Sequence, residues 1–458
     1  MPSSERLHIL IVNNYTGRGG VPKAVAALAN AMAGRGHRVT VYSQRPVPRF
    51  FYPLYRAGYW LYAHSLPDGR RPDFQKGTQH LQEMYALHNG VDVRSYSFTD
   101  NNKKVQALRK EIVRLDPDVC VCPFPDGAHL VWAATLMGSS IPYVYSERTS
   151  PGAIEGIFWN RPGRLAAMSG ADAIHLLLPG YKKSIPDFLQ ERVHVIPNAV
   201  TLPKQCAKVA GQAGQKKVLL WLGRLHDEIK QCRLAMDAFA LLAKKFPDWE
   251  MHIAGDGPDK KVIHAHAAVT GLGERIRFLG EIRDVWAVYA ASQAYCFSSR
   301  LEGMPNGLLE AMAAGLPCVT FKKCEGLDSI IQHEVNGLFA EEMTAHDLAQ
   351  QLQIVMQGEQ TRVRLGAQAR ETAKAFSEEA VFAAWEDLLR GVAAHKGNTV
   401  MDAFGREPFA SMARLSARSR QEWAIRNFGE PMPGSIEYEF FLQKKRLVSW
   451  LHSWRKEA

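Results

Sequence analysis

Residues 7–12, LHILIV, form a near-continuous apolar run of the kind a parallel sheet buries on both faces. The polar, glycine-rich stretch NNYTGRGG follows, and the pattern then changes period. Val25, Leu28, Ala29 and Met32 fall at i, i+3, i+4 and i+7, one face of a helix that opens at Pro22 and stops at Gly34 and Gly36. Arg38–Tyr42 returns to strand character through Val39 and Val41. Strand, helix and strand in this order make a βαβ unit, and further strands are expected at 118–122, 142–146, 173–178 and 192–196.

Two stretches interrupt the rhythm. Residues 44–80 mix aromatics, arginines and prolines without a clean period, which predicts an insertion: a long loop or hairpin, or a membrane- or acceptor-facing segment. Residues 201–217 are small, polar and basic, and predict a linker. A second alternating series begins at Val218 with VLLWLG, then a helix at 231–245, MHIAG, RIRFLG, AYCFS, PCVTF and a helix from 345. The pattern predicts two Rossmann-like α/β domains, each a doubly wound parallel sheet, spanning 1–204 and 205–376. A helix at 377–395, with Ser377 and its acids at the N-terminus, closes the series and could cross back to the first domain. Residues 396–458 form a helical tail of unassigned role.

At 458 residues the chain is long enough for two cores, and 46% hydrophobic with 22% charged residues is a globular composition. The longest apolar runs have strand length, so no membrane span is expected. The N-terminus has no signal-peptide layout, and seven scattered cysteines suit a reducing compartment. A cytoplasmic location is therefore expected. The net charge of +10 fits phosphate-bearing substrates or an anionic membrane, and no DNA- or RNA-binding signature accompanies it.

The candidate chemistry lies in the second series. Seven residues separate Glu302 from Glu310 in EGMPNGLLE, where a loop runs into a helix near Asn306, and Gly303 and Gly307 permit close backbone approach. Arg224 and Lys230 follow the strand VLLWLG, at the end where open α/β sheets bind ligands. A guanidinium, an ammonium and a helix N-terminus together can neutralise a diphosphate. Two carboxylates beside a diphosphate would repel it, so hydrogen bonding to hydroxyls is their expected task. No Asp-x-Asp pair stands in a metal-binding context, since Asp116-Pro-Asp118 reads as a turn before a buried strand. No metal and no other cofactor is expected. In the first series Gly17, Gly19 and Gly20 form GRGG, suited to phosphate or sugar contact across a cleft but without the dinucleotide fingerprint.

These residues resemble glycosyltransferase family 4 over about residues 7–395. The resemblance rests on EGMPNGLLE, the GRL…K element, GDGP at 255–258, RFLG and HVIPNAV. It implies the GT-B architecture, two Rossmann-like domains facing a cleft. It also implies metal-independent, configuration-retaining transfer of a hexose or N-acetylhexosamine. The donor would be a nucleotide sugar, most often a UDP-sugar, and the acceptor a hydroxyl of a glycan or lipid-linked glycan. On that resemblance Arg224 and Lys230 bind the diphosphate, Glu310 the ribose and Glu302 the transferred sugar, with Gly19 and Gly20 on the donor phosphates. Gly303, Asn306 and Gly307 complete the donor-binding set, and Glu302, Arg224 and Lys230 the catalytic one. YVYSERTSP resembles the SERN/SERT element of bacterial members acting on lipid-linked glycans, making Glu147 and Arg148 acceptor-side candidates. Asp126 and His129 are the others. Two departures stand out: Lys230 lies one residue further from Arg224 than in the commoner pattern, and no first-domain cleft histidine is evident.

Two other readings remain open here. One is a different enzyme on this fold, such as a sugar-nucleotide epimerase or a phosphorylase. The other is a non-catalytic partner in a glycan-assembly complex. The segments 45–71 and 440–456, basic and aromatic, suit an anionic bilayer, so peripheral placement on the inner face of the plasma membrane is a further expectation. Liposome co-sedimentation that survives both high salt and removal of 436–458 would reject it.

Overall fold

The computed structural model describes residues 6–13, 20–44, 87–96, 101–124, 135–136, 139–150, 167–211 and 214–399. Gly19, Asp126, His129, the 44–80 insertion beyond Gln44, and the tail from residue 400, with both proposed membrane segments, lie outside them.

In the first domain the apolar run becomes strand β1 (His8–Asn13), followed by α1 (Gly20–Gly34), β2 (Arg38–Gln44), β3 (Val91–Tyr96) and α2 (Asn101–Leu115). Then come β4 (Val119–Phe124), β5 (Tyr143–Glu147), β6 (Ala173–Leu176) and β7 (Val193–Val195). They pair in parallel in the order β3-β2-β1-β4-β5-β6-β7. The direction of winding reverses between β1 and β4, and beyond the carboxyl ends of strands at such a switch point open sheets of this kind take ligands.

The second domain comprises β8 (Lys217–Leu222), α3 (Asp227–Lys230), α4 (Cys232–Ala243), β9 (Trp249–Ala254), α5 (Lys260–Val269), β10 (Ile276–Gly280) and α6 (Val285–Ala290). It continues through β11 (Ala294–Phe297), α7 (Asn306–Ala313), β12 (Cys318–Phe321), β13 (Leu338–Ala340), α8 (Ala345–Gln357) and α9 (Glu359–Ala373). Its parallel order is β10-β9-β8-β11-β12-β13, with the reversal between β8 and β11. The GRL element therefore leaves one strand of the switch point and the EGMPNG element the other.

Sequence patterning placed no element over 81–117, where the structure has β3 and α2. Charge dilutes the signal: Arg94 on β3 pairs with Asp92 at 2.8 Å and with Glu111 of α2 at 2.5 Å, and the buried face of α2 rests on Leu108, Ile112 and Leu115 among many charged neighbours.

Helix α10 (Glu378–Ala393) starts at Ser377, whose hydroxyl accepts from the Ala380 N–H at 3.4 Å. Its buried Val381, Phe382, Trp385 and Leu389 join Ile9, Ile11, Val25, Leu28 and Val144 in one first-domain core. The chain thus crosses twice between domains, and the crossings touch: the Val200 N–H donates to Phe376 O at 2.8 Å. A second apolar cluster runs from Leu10 and Cys120 through Leu178 and Tyr181 to Met304, Leu308 and Leu327, so the floor between the domains is packed rather than open.

Candidate active site

The floor of the second-domain site is two loops laced together by backbone. Leu225 N–H donates to Asp256 O and Asp259 N–H to Leu225 O, both at 3.0 Å, joining GRL to GDGP. Gly255 has φ +131°, and a Cβ there would lie 1.9 Å from Gly223 O, so only glycine permits this contact. The lacing leaves the Arg224 side chain outward and exposed.

The single-turn helix α3 delivers Lys230 and absorbs the longer spacing from Arg224. Its exit is fixed by Gln231 in the left-handed region, φ +50°. Ser298 Oγ accepts from Trp221 Nε1 at 2.9 Å and donates to Lys230 O at 2.8 Å. The Lys230 ammonium then ion-pairs with the Glu302 carboxylate and sits 5.8 Å from the Phe297 ring centroid.

Glu302 is itself gripped from the first domain. The Tyr181 hydroxyl donates to Glu302 O at 2.9 Å and Gly303 O at 3.1 Å. At Gly303 a Cβ would meet Arg148 O at 2.5 Å and Thr149 Cα at 2.7 Å, so backbone touches backbone across the domain boundary. Ser150 of the same segment donates to Glu325 at 2.5 Å.

Three polar side chains continue this junction. The Arg148 guanidinium donates to Asn198 Oδ1 at 3.1 Å, and Asn198 Nδ2 donates to Asn306 Oδ1 at 3.0 Å, at the first turn of α7. Arg148 lies 5.5 Å from the Trp385 ring, and burial pulls its pKa down to about 10, leaving it charged at neutral pH. Its neighbour Glu147 is buried and accepts from the Tyr145 hydroxyl at 3.0 Å. Arg148 lines the cleft cavity.

Glu310 is reached from both domains. Its Oε1 accepts from Lys23 Nζ of α1 at 3.2 Å, and its Oε2 from the Tyr289 hydroxyl, also at 3.2 Å. Tyr289, which burial keeps protonated, also reaches Gly307 O at 3.1 Å. A cavity of about 190 Å³ opens beside this carboxylate, bounded by Gly20, Lys23, Arg148, Trp286 and Asn306 among others.

Of the residues singled out from sequence, the structure brings Lys230 onto Glu302, Gly303 onto Arg148, and Gly20, Asn306 and Glu310 around one cavity. Sequence reasoning missed Lys23, Asn198, Tyr181 and Tyr289. Asn198 sat in view within HVIPNAV, whereas the two tyrosines look like core residues in a one-dimensional pattern. Among the described residues no group of three or more His, Cys, Asp or Glu is close enough to hold a metal ion.

Residues 18–203 match the family described as Glycosyltransferase Family 4, and residues 206–372 the one described as Glycosyl transferases group 1. The chain belongs to glycosyltransferase family 4. This transferase is 25% identical over 383 residues to an uncharacterized glycosyltransferase of Haemophilus influenzae, covering 82% of its own chain and 98% of the relative. It is also 25% identical over 322 residues to a Campylobacter jejuni α-1,4-N-acetyl-D-galactosaminyltransferase named for an undecaprenol-diphosphate-linked glycan, covering 68% and 88% respectively. The crystal structure of Anabaena HepE in complex with UDP superposes with a TM-score of 0.66 at 17% identity, covering 84% of this chain and all (100%) of that one. The fold of the transferase is GT-B. No helix among its described residues is long and apolar enough to cross a membrane.

Proposed function

We propose that this glycosyltransferase moves a hexose or N-acetylhexosamine from a UDP-sugar to a hydroxyl of a glycan or lipid-linked glycan. In this reading the anomeric configuration is retained and no metal ion takes part. The observation that carries it is the placement of Lys230 on Glu302 at the β8/β11 switch point, with Arg224 exposed on the same loop after β8 and Glu310 one turn inside α7. Helix α7 opens without a side-chain cap, so the donor's diphosphate can meet a helix N-terminus, a guanidinium and an ammonium together. The named Campylobacter relative supports a lipid-linked acceptor, and the UDP-bound GT-B neighbour a uridine donor.

In the reaction the bond from the sugar's anomeric carbon to the β-phosphate oxygen breaks, and the acceptor oxygen bonds to that carbon on the same face. The acceptor proton passes to the departing phosphate oxygen. Arg224 and Lys230 stabilise the charge that grows on the diphosphate, which is the largest change between ground and transition states. Glu302, held by Lys230, orients the sugar through its hydroxyls.

NMR of the product formed from an α-linked UDP-sugar, with and without EDTA, tests this proposal. An α-linked product at an unchanged rate is expected. A β-linked product, a trapped covalent glycosyl-enzyme or loss of the rate in EDTA contradicts it.

A further inference from the structure

Lys23 and Glu310 are 287 positions apart in sequence and belong to opposite domains, yet they form an ion pair at 3.2 Å at the rim of the cleft cavity. The lysine side chain is 63% exposed. An ion pair that open to water adds little to stability. Its value lies in what it does to the carboxylate.

A carboxylate offers about four acceptor positions, two on each oxygen. In Glu310 one position on Oε1 is taken by the Lys23 ammonium and one on Oε2 by the Tyr289 hydroxyl. That leaves one acceptor position on each oxygen, enough for the two hydroxyls of a vicinal diol. Tyr289 is anchored, being buried and also bonded to Gly307 O at 3.1 Å. Tyr289 alone fixes one end of the carboxylate; Lys23 fixes the other and offsets a negative charge that would otherwise face the diphosphate.

Building on the assignment of Glu310 to the donor's ribose, we infer that Lys23 is a positioning residue of the donor site, supplied by the first domain. It presents Glu310 to the two ribose hydroxyls and completes this part of the site only when the domains meet. Lys23 acts through Glu310, so its effect falls on the diol and not on the nucleotide as a whole.

The test is equilibrium binding of UDP and of its 2′,3′-dideoxy analogue to the full chain, to Lys23→Met and to Lys23→Arg. The unaltered protein should prefer UDP by about ten- to hundredfold, the range carried by hydrogen bonds to a charged group. Lys23→Met should narrow that preference by about threefold or more, whatever it does to overall affinity, and Lys23→Arg should restore it. An unchanged preference in Lys23→Met, including equal weakening of both nucleotides, overturns the inference while leaving the donor assignment intact. Failure of the unaltered protein to bind UDP or to prefer the diol contradicts the donor assignment itself.

Discussion

Gly303 shows how one missing side chain can set the distance between two domains. Its would-be Cβ falls 2.5 Å from Arg148 O and 2.7 Å from Thr149 Cα, both backbone atoms of the opposite domain that cannot swing aside. Gly303→Ala should therefore push the Glu302 loop off the first domain. Overpacking of this kind costs about 1–3 kcal/mol, and displacing Glu302 should lower kcat/KM by roughly tenfold or more. Steady-state kinetics alongside a melting curve would check this, and unaltered kinetics in a folded variant would show that the contact is not needed. Glu302, Glu310, Arg224 and Lys230 were legible in the sequence because their spacing is local to a strand end or a helix start. Lys23 and Asn198 were not. Their partners lie across the cleft, and no periodicity records which residues meet when two domains fold against each other.

At the scale of elements, the alternation of apolar runs with 3.6-period helices made both sheets legible, from LHILIV to the strands around the linker. β3 and α2 escaped because their apolar positions, Val91 and Val93 on the strand and Leu108, Ile112 and Leu115 on the helix, are few and set among charged residues. α10 was legible as a helix from its Ser377 cap and acids. What it covers is tertiary: its Trp385 lies 4.4 Å from the ring of His175 on β6. His175 Nε2 bonds to Ile196 O at 2.7 Å and must donate to that carbonyl. Burial holds the ring's pKa well below the ordinary value, so it is neutral and Nδ1 accepts from Ser146 Oγ at 2.9 Å. Buried His8 and partly buried His252 shift the same way. The unfolded chain takes up protons at these sites near pH 6.5 while the folded one resists. Their contribution is therefore fully present above about pH 6.5 and is lost as pH falls below it, by up to about 1.4 kcal/mol per unit for each such histidine. Urea midpoints should drop between pH 7 and pH 5; a flat or rising profile would contradict this placement of the histidines.

For the whole molecule, two parallel-sheet domains bring their switch points to one cleft, and the paired crossings at Val200 and Phe376 keep the domains together while a packed floor lies between them. The loops that choose an acceptor are the part the sequence leaves open, because shape there follows from contacts distant along the chain. Donor recognition is the claim on which the rest depends. Its most direct measurement is thermal unfolding of the full chain with UDP, GDP, ADP and a panel of UDP-sugars, beside Glu310→Ala and with EDTA. A ligand at about a hundred times its dissociation constant should stabilise the protein by about 2.7 kcal/mol. The account predicts that uridine ligands alone do this, that Glu310→Ala largely abolishes the effect and that EDTA leaves it unchanged. No shift with any nucleotide, or an equal shift in Glu310→Ala, would contradict it.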